Sequence, residues 1–293
     1  MEIIKAHEMG FCFGVRRAVE MMEEAAEKLG GITSLGSTVH NRQVVERLRE
    51  AGVDVVTSLE EIDGRPVAVT AHGVGPQVSS ALEEIGVTVV DTTCPIVTRS
   101  QQWARHLARE GFAVIVFGDP DHKEVRGVLG WAEGKGIAVP DEELLHTLPD
   151  DLPSRVAVLS QTTHTEARFA SFVRRLFETR MDHISELRVI NTLCNATTSQ
   201  QAAAQELARR VDLMIVIGGN DSANTRHLAE VCEEEGVETH HIESASEIEP
   251  GWVAGHERVG VTAGASTPDF AVDEVVERLR ELERQLSGTR RSK

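Results

Sequence analysis

Three cysteines in the 293-residue sequence occupy matching positions at which they could bind a metal. Cys12, Cys94 and Cys194 lie 82 and then 100 residues apart, and each follows a short apolar run and precedes a helical pattern. A cysteine at a helix start faces unpaired N–H groups and the positive end of the helix dipole, which favour the metal-binding thiolate. Three converging thiolates could hold a zinc ion or an iron–sulfur cluster with one open iron. The fourth cysteine, Cys232, lies in a helical run outside this pattern and is predicted to pack in the core.

Polar side chains recur at matching distances from these cysteines. A glycine 24 residues after each cysteine ends a strand-like run, and a polar residue four positions later begins another helical pattern. Further polar residues follow a later strand-like run in each repeat. The glycines are Gly36, Gly118 and Gly218, the first polar set is His40, His122 and Ser222 with Asn224, and the later set is His72, Thr162 and Ser266. Because hydrogen-bond donors at helix starts hold phosphate oxygens, the pattern predicts an anionic ligand.

Glu124 is the carboxylate that the recurring turns offer as a general acid. It lies two residues after His122, at the start of a helical pattern. In a closed anion site a glutamic acid is expected to have a raised pKa, which suits proton donation. An exposed glutamate favoured by the helix dipole is an equally good interpretation of the local sequence.

The repeated unit alternates strand-like and helical segments, which is typical of α/β layers with parallel sheets. Ligands of such folds bind at the carboxyl ends of the strands, so three repeats around a pseudo-threefold axis would direct the polar turns into one cavity. We therefore predict an α/β protein of three similar domains, 1–93, 94–193 and 194–286, followed by a polar tail, 287–293.

Composition narrows the class of protein. With 41% hydrophobic residues the chain can fold around full cores. Its 30 Lys and Arg against 47 Asp and Glu give a net charge of −17, which argues against nucleic acid and anionic membranes as partners. No stretch reaches the roughly 20 apolar residues of a membrane span, and the N-terminus lacks a signal-peptide pattern. We expect a soluble, cytoplasmic protein.

Nine motifs make the sequence resemble a known family, the 4-hydroxy-3-methylbut-2-enyl diphosphate reductases, which are iron–sulfur enzymes of the non-mevalonate isoprenoid pathway. Together they span essentially the whole chain. The motifs are GFCFGVRRAVE at Cys12, VHNRQVVERL at His40, AHGVGP at His72, DTTCPIVT at Cys94, DHKEVRG at His122 and Glu124, QTT at Thr162, TLCNATTSQQ at Cys194, NDSANT at Ser222 and VTAGASTPD at Ser266.

The resemblance implies a cloverleaf of three α/β domains around one oxygen-sensitive 4Fe-4S cluster per chain, held by Cys12, Cys94 and Cys194. It implies that the open iron binds the substrate hydroxyl, which two electrons and two protons remove as water to give isopentenyl and dimethylallyl diphosphate. It also implies that Glu124 delivers protons and Thr162 holds the hydroxyl. The implied diphosphate ligands are His40, His72, His122, Ser222, Ala223, Asn224 and Ser266. No nucleotide fingerprint indicates a flavin in this chain, so electrons are expected from an external ferredoxin or flavodoxin.

Two residues depart from the family pattern. Ala223 stands where many relatives carry a second serine, so its backbone N–H would have to serve in place of a hydroxyl. Gln200 stands where an arginine is common, which changes the pairing near the third cysteine. Two other functions use the same residues: a zinc-dependent hydrolase of phosphate esters, and a non-enzymatic protein that binds an anionic metabolite and packs its cysteines in the core. Metal analysis separates the reductase from the hydrolase.

Overall fold

The computed structural model describes the backbone of residues 1–291 and the side chains of residues 1–286. Strands and helices alternate along the chain, as the sequence predicts. The strands are β1 Glu2–Lys5, β2 Ile32–Leu35, β3 Val53–Val56, β4 Val67–Val69, β5 Val89–Asp91, β6 Ala113–Phe117, β7 Gly136–Val139, β8 Arg155–Ser160, β9 Glu186–Val189, β10 Leu213–Ile217, β11 Glu238–Ile242 and β12 Arg258–Ala263. The helices are α1 Phe13–Leu29, α2 Arg42–Glu50, α3 Pro76–Ile85, α4 Pro95–Arg109, α5 Lys123–Trp131, α6 Glu166–Arg180, α7 Asn195–Ala208, α8 Ala223–Glu234, α9 Pro250–Val253 and α10 Asp269–Arg291.

Three parallel sheets of four strands share one strand order. They are β3-β2-β4-β5, β7-β6-β8-β9 and β11-β10-β12-β1. The prediction of three similar α/β units is therefore confirmed. The N-terminal strand β1 pairs with β12 and takes the edge position that β5 and β9 take in the other two sheets. The predicted division assigned this strand to the first repeat, 1–93, whereas its hydrogen bonds join it to the sheet of the third repeat.

By compactness the chain divides into two units. The single-sheet unit comprises Met1–Val15, Val39–Glu46 and Asn195–Lys293 and contains β1, β10, β11 and β12. The two-sheet unit comprises Arg16–Thr38 and Arg47–Cys194 and contains the other two sheets.

The end of the chain continues the last helix. The predicted polar tail, 287–293, falls on the end of α10 and on residues 292 and 293, which lie outside the described residues. Among the described helices, none combines the length and apolar character that a bilayer crossing requires.

The central strand of the single-sheet unit is buried on both faces. Leu213, Ile215 and Ile217 pack in the cluster that contains α10, while Met214 and Val216 pack in the cluster that contains α7 and α8. Such double burial is expected of a parallel sheet that carries helices on both faces. Each fully buried side chain of this size contributes about 1.5–3 kcal/mol. The strand ends, from which the site residues follow, are therefore held by a rigid frame.

Cys232 lies in the same core, as predicted. Its side chain is fully buried in α8, in the cluster with Met214. Burial, with the charges of Glu233 and Glu235, raises the pKa of its thiol to about 12. This cysteine therefore stays a neutral thiol.

Candidate active site

One repeated backbone hydrogen bond positions each of the predicted metal-binding cysteines. Each follows an edge strand, begins a helix and donates its N–H to a carbonyl in the turn after the neighbouring strand of the same sheet. The pairs are Cys12 N to Ala265 O at 3.2 Å, Cys94 N to Ala71 O at 3.0 Å and Cys194 N to Thr162 O at 2.9 Å. The threefold repeat of the sequence thus extends to the bonds that place the thiols.

The Cys94 thiol lies in a partly desolvated environment in the two-sheet unit. Burial raises its pKa, and the charges of Cys194 and Glu124 add to this effect. The backbone N–H groups of Ile96 and Val97, in the first turn of α4, act in the opposite direction. A thiol in this setting loses its proton readily only when a cation binds it, which fits a metal ligand.

Cys12 is held at the start of α1 by a tight N-terminal loop. Its Sγ accepts a hydrogen bond from Val15 N at 3.4 Å. Gly10 has a φ of +75° and donates its N–H to Ala263 O at 3.0 Å, and a Cβ there would lie 3.3 Å from Thr267 O. Glycine is therefore required at the turn that delivers this cysteine.

Glu124 is buried in the first turn of α5, with only 3% of its surface exposed. Thr162 holds both carboxyl oxygens: its N–H donates to Oε1 and its hydroxyl to Oε2, each at 2.7 Å. Burial raises the pKa of Glu124, although the two bonds from Thr162 act to lower it. The carboxyl therefore keeps its proton to a higher pH than an exposed glutamate does, which a general acid requires. The alternative of an exposed first-turn glutamate is wrong.

Two histidines lie beside this carboxyl in the two-sheet unit. His122 is the N-cap of α5, and its Nδ1 accepts a hydrogen bond from Glu124 N at 3.2 Å. A neutral His122 consequently carries its proton on Nε2, where it is a donor. The ring of His72 lies edge-on to that of His122, with the ring centroids 5.5 Å apart. One imidazole thus caps the helix that carries the carboxylic acid, and the second packs against the first.

His40, in the single-sheet unit, is fixed through its ring and its backbone. Its Nδ1 lies 2.9 Å from Asp221 Oδ2, and its carbonyl accepts a hydrogen bond from Ser266 Oγ at 3.3 Å. Burial acts to raise the pKa of Asp221, but the bond and charge of His40 outweigh it, so the pKa lies below its ordinary value. A side chain at Gly219 would collide with the His40 carbonyl, so a glycine permits this approach.

The start of α8 carries the remaining predicted residues. Ser222 is the N-cap and its Oγ accepts a hydrogen bond from Thr225 N at 3.3 Å. Ala223 and Asn224 follow in the first turn and are 6% and 4% exposed. Asn224 Nδ2 donates to Gln200 Oε1 at 3.3 Å. The N–H groups and dipole of this helix start favour an anion.

The predicted site residues divide between the two units. The two-sheet unit contains Cys94, Cys194, Glu124, Thr162, His72 and His122. The single-sheet unit contains Cys12, His40, Ser222, Ala223, Asn224 and Ser266. Two of the three thiols, those of Cys94 and Cys194, therefore share one unit with the acid and two imidazoles, whereas Cys12 belongs to the other unit.

Three buried or paired side chains beside these residues were not predicted as part of the site. Asp221 pairs with His40, Gln200 bonds Asn224, and Gln161 accepts a hydrogen bond from Asp119 N at 3.1 Å through its Oε1. Asp221 and Gln161 directly precede Ser222 and Thr162 in motifs already singled out, so adjacency was the available signal. Gln200 was marked only by its departure from the family pattern.

Comparison with known proteins identifies the relatives of this chain. The family model "LytB protein" matches residues 3–280. The 4-hydroxy-3-methylbut-2-enyl diphosphate reductase of Dehalococcoides mccartyi is 46% identical over 282 residues, which cover 96% of this chain and 99% of the relative. The protein of the same name from Geobacter metallireducens is 46% identical over 286 residues, covering 97% and 98%.

Solved structures give the same relationship. The E-1-hydroxy-2-methyl-but-2-enyl-4-diphosphate reductase from Plasmodium falciparum matches with a TM-score of 0.86 at 25% identity, over 94% of this chain and 87% of that one. A structure of (E)-4-hydroxy-3-methyl-but-2-enyl diphosphate reductase, described as the terminal enzyme of the non-mevalonate pathway, matches with a TM-score of 0.68 at 38% identity, over 96% and 100%. The family expected from the motifs is thereby confirmed: this chain belongs to the LytB family.

Proposed function

We propose that this chain reduces (E)-4-hydroxy-3-methylbut-2-enyl diphosphate to isopentenyl diphosphate and dimethylallyl diphosphate. Its relatives at 46% identity are named for a reductase of this diphosphate. The observation that carries the proposal is the buried Glu124 carboxyl, which Thr162 holds by both oxygens within electrostatic range of the Cys94 thiol. A proton donor beside a candidate metal ligand is what reductive removal of a hydroxyl needs.

The proposed cofactor is one 4Fe-4S cluster, with Cys12, Cys94 and Cys194 as its ligands. Three sulfur donors fit this group because each begins a helix, and N–H groups face the sulfurs of Cys12 and Cys94. When bound, the cluster supplies electrons and an open iron that attracts the substrate hydroxyl. Its thiolate ligands must stay reduced, so the proposal includes a cytoplasmic location.

Glu124 supplies the proton that leaves with the hydroxyl. Two electrons and two protons convert the alcohol to water and a product with one new C–H bond, which balances the reaction. Thr162 fixes the plane of the carboxyl through its N–H and hydroxyl, so the acidic proton has a constant direction. In this proposal the Thr162 hydroxyl, which is bonded to the acid, also positions the substrate oxygen.

The diphosphate is bound by neutral donors and not by a basic patch. In one unit these are His72 and the Nε2–H of His122. In the other they are His40, Ser222 and the first N–H groups of α8. Such donors explain how a chain of net charge −17 binds an anion.

Electrons reach the site from outside the chain in this proposal. The expected donor is a ferredoxin or flavodoxin, which delivers one electron at a time.

An anaerobic assay tests the proposal. Protein purified without oxygen is incubated with the substrate and a chemically reduced dye, and we expect both diphosphate products, with about four irons and four sulfides per chain from the cluster type. Colourless protein that holds zinc after anaerobic reconstitution, and that releases phosphate from the substrate, would favour the zinc hydrolase. A Cys94→Ser protein that kept its iron and its turnover would contradict the ligand set.

A further inference from the structure

A chain of two side-chain amides links the loop before Cys12 to the start of α8. Gln200, in α7, is 4% exposed, and its Nε2 donates to the Gly10 carbonyl at 2.7 Å. Its Oε1 accepts from Asn224 Nδ2 at 3.3 Å. All three residues belong to the single-sheet unit.

The hydrogen-bonding groups determine which way round each amide lies. A backbone carbonyl only accepts, so the Gln200 amide must turn its NH₂ toward Gly10 and its oxygen toward Asn224. Asn224 must then meet that oxygen with its own NH₂. Its Oδ1 is then left as an acceptor for another group, alongside the second N–H of the same NH₂. Two successive hydrogen bonds thus connect the Gly10 carbonyl to the Asn224 amide and fix the orientation of that amide.

Asn224 Oδ1 is a buried acceptor for which the described residues provide no hydrogen bond. The side chain is 4% exposed, so bulk water does not satisfy this oxygen. A buried polar atom left in this way costs free energy unless a ligand or ordered water supplies a donor. Asn224 lies in the first turn of α8, close to the N-cap Ser222, and the start of a helix favours the binding of an anion. A ligand group that meets this oxygen must then bring its own hydrogen.

We propose that Gln200 is a positioning residue that makes Asn224 present an acceptor to the diphosphate, so that this protein selects the form that carries one phosphate proton. The inference rests on the proposed function and refines it, because the sequence pattern predicts Asn224 as a donor to the diphosphate. A P–OH group donates to Oδ1, whereas a fully ionised phosphate places oxygen against oxygen. The last proton of a phosphate group is lost at about pH 6, so both forms are accessible.

An arginine at position 200 would reverse this arrangement. Its guanidinium has only donors, so it could bond the Gly10 carbonyl but would require the Asn224 oxygen to face it. Asn224 Nδ2 would then face the ligand. The Gln200→Arg protein therefore serves as the opposite case, with a donor where the wild type has an acceptor.

The test is calorimetric binding of isopentenyl diphosphate to the anaerobic holoenzyme at about pH 5.5 and about pH 8, on either side of the phosphate ionisation. This probe has no carbon-bound hydroxyl, so phosphate is its only O–H. We expect Gln200→Leu to bind about fivefold more weakly than the wild type at the lower pH, the size of one hydrogen bond, and within about twofold of it at the higher pH. Gln200→Arg should lose the preference for low pH. His40 and Asp221, which pair in the same unit, are unchanged in every variant.

Gln205→Leu is the matched control, because Gln205 lies on the same helix and bonds Glu235 instead. It should bind as the wild type does at both pH values. Equal weakening by Gln200→Leu at both pH values, or none at either, would overturn the positioning role while leaving the reductase assay unaffected. If only the hydroxylated substrate, and not the probe, showed the pH-dependent loss, the acceptor would serve the alcohol and the phosphate assignment would be wrong. Failure of the wild type to bind the probe at any pH would overturn this inference and the proposed function together.

Discussion

The starts of α5 and α8 occupy the same place in the repeat but carry different chemical groups. Each follows the first strand of its repeat, and a polar N-cap, His122 or Ser222, lies four residues after the glycine that ends this strand. Two residues further on, each helix buries a polar side chain, Glu124 in one and Asn224 in the other. The backbone frame is shared, and only the side chains and their neighbours differ.

The neighbours decide what each buried side chain can do. Thr162 donates hydrogen bonds from its N–H and its hydroxyl to the two carboxyl oxygens of Glu124. These two groups can bind the carboxyl in either protonation state. Gln200 offers Asn224 an oxygen whose direction is fixed by a carbonyl, which suits a neutral NH₂ and would repel a carboxylate. One helix start therefore supports a proton donor, and the other supports a neutral contact to a ligand.

The largest effect is expected from Glu124→Gln. This change replaces the carboxyl at the start of α5 with an amide, the group that Asn224 has at the start of α8. The amide can accept from Thr162 N and donate to its hydroxyl, so the fold and isopentenyl diphosphate binding should persist. Turnover should fall by at least about a hundredfold, because the acid is gone. Steady-state kinetics with a reduced dye measures this. Glu166→Gln, in the exposed first turn of α6, is the control and should stay near wild type. Turnover above a tenth of the wild-type value would refute the assignment.

The reverse change, Asn224→Asp, tests the second helix start. The Gln200 oxygen would face the new carboxyl, which must keep a proton to donate to it. Above the ordinary aspartate pKa of about 4, unfolding releases that proton, so stability falls as the pH rises. We expect a loss of about 2 kcal/mol near neutral pH, measured by urea unfolding. The exposed Asn220→Asp is the control. A variant as stable as the wild type at high pH would mean that Gln200 is free to turn.

The pH dependence of unfolding tests the protonation of Glu124, and it needs no substitution at the start of α8. Burial raises the native pKa of Glu124, so the native state keeps a proton that the unfolded chain loses above about pH 4. The contribution of Glu124 to wild-type stability should therefore decline with rising pH, by about 1.4 kcal/mol for each unit that separates the two pKa values. The glutamine of Glu124→Gln does not ionise, so this variant lacks the pH-dependent contribution. The free energy of unfolding of the cluster-free variant, minus that of the wild type, should grow between acidic and neutral pH. A constant difference would show that Glu124 titrates normally.

Sequence patterns predicted much of this frame. The equal interval of 24 residues from each cysteine to a glycine identified the three cysteines, and each of them begins a helix after an edge strand. The glycines at positions 36, 118 and 218 each follow directly on a strand, and polar residues follow them at helix starts. Local periodicity and turn chemistry are sufficient for such features, because each depends on residues within a few positions of one another.

The sequence patterns could not predict contacts between residues that lie far apart in the chain. Thr162 and Glu124 are 38 residues apart, and Gln200 and Gly10 are 190 residues apart. The pairing of β1 with β12 joins opposite ends of the chain in the same way. These contacts depend on how the sheets bring strand ends together, which no local pattern encodes. The motifs therefore identified candidate site residues, whereas the orientation of the Asn224 amide required the packed structure.

The smallest effect is expected at Ala223, which separates the N-cap from Asn224 at the second helix start. Its methyl group is 6% exposed in the first turn of α8, and a serine at this position adds one oxygen. Ala223→Ser should tighten isopentenyl diphosphate binding about two- to fivefold, because a hydroxyl would add one donor to those of the helix start. Calorimetry against Ala202→Ser, an exposed position on α7, separates this from a general effect of adding a hydroxyl. Equal affinity in all three proteins would mean that the backbone N–H groups already satisfy the phosphate at this position, and that the second helix start binds through its backbone more than through its side chains.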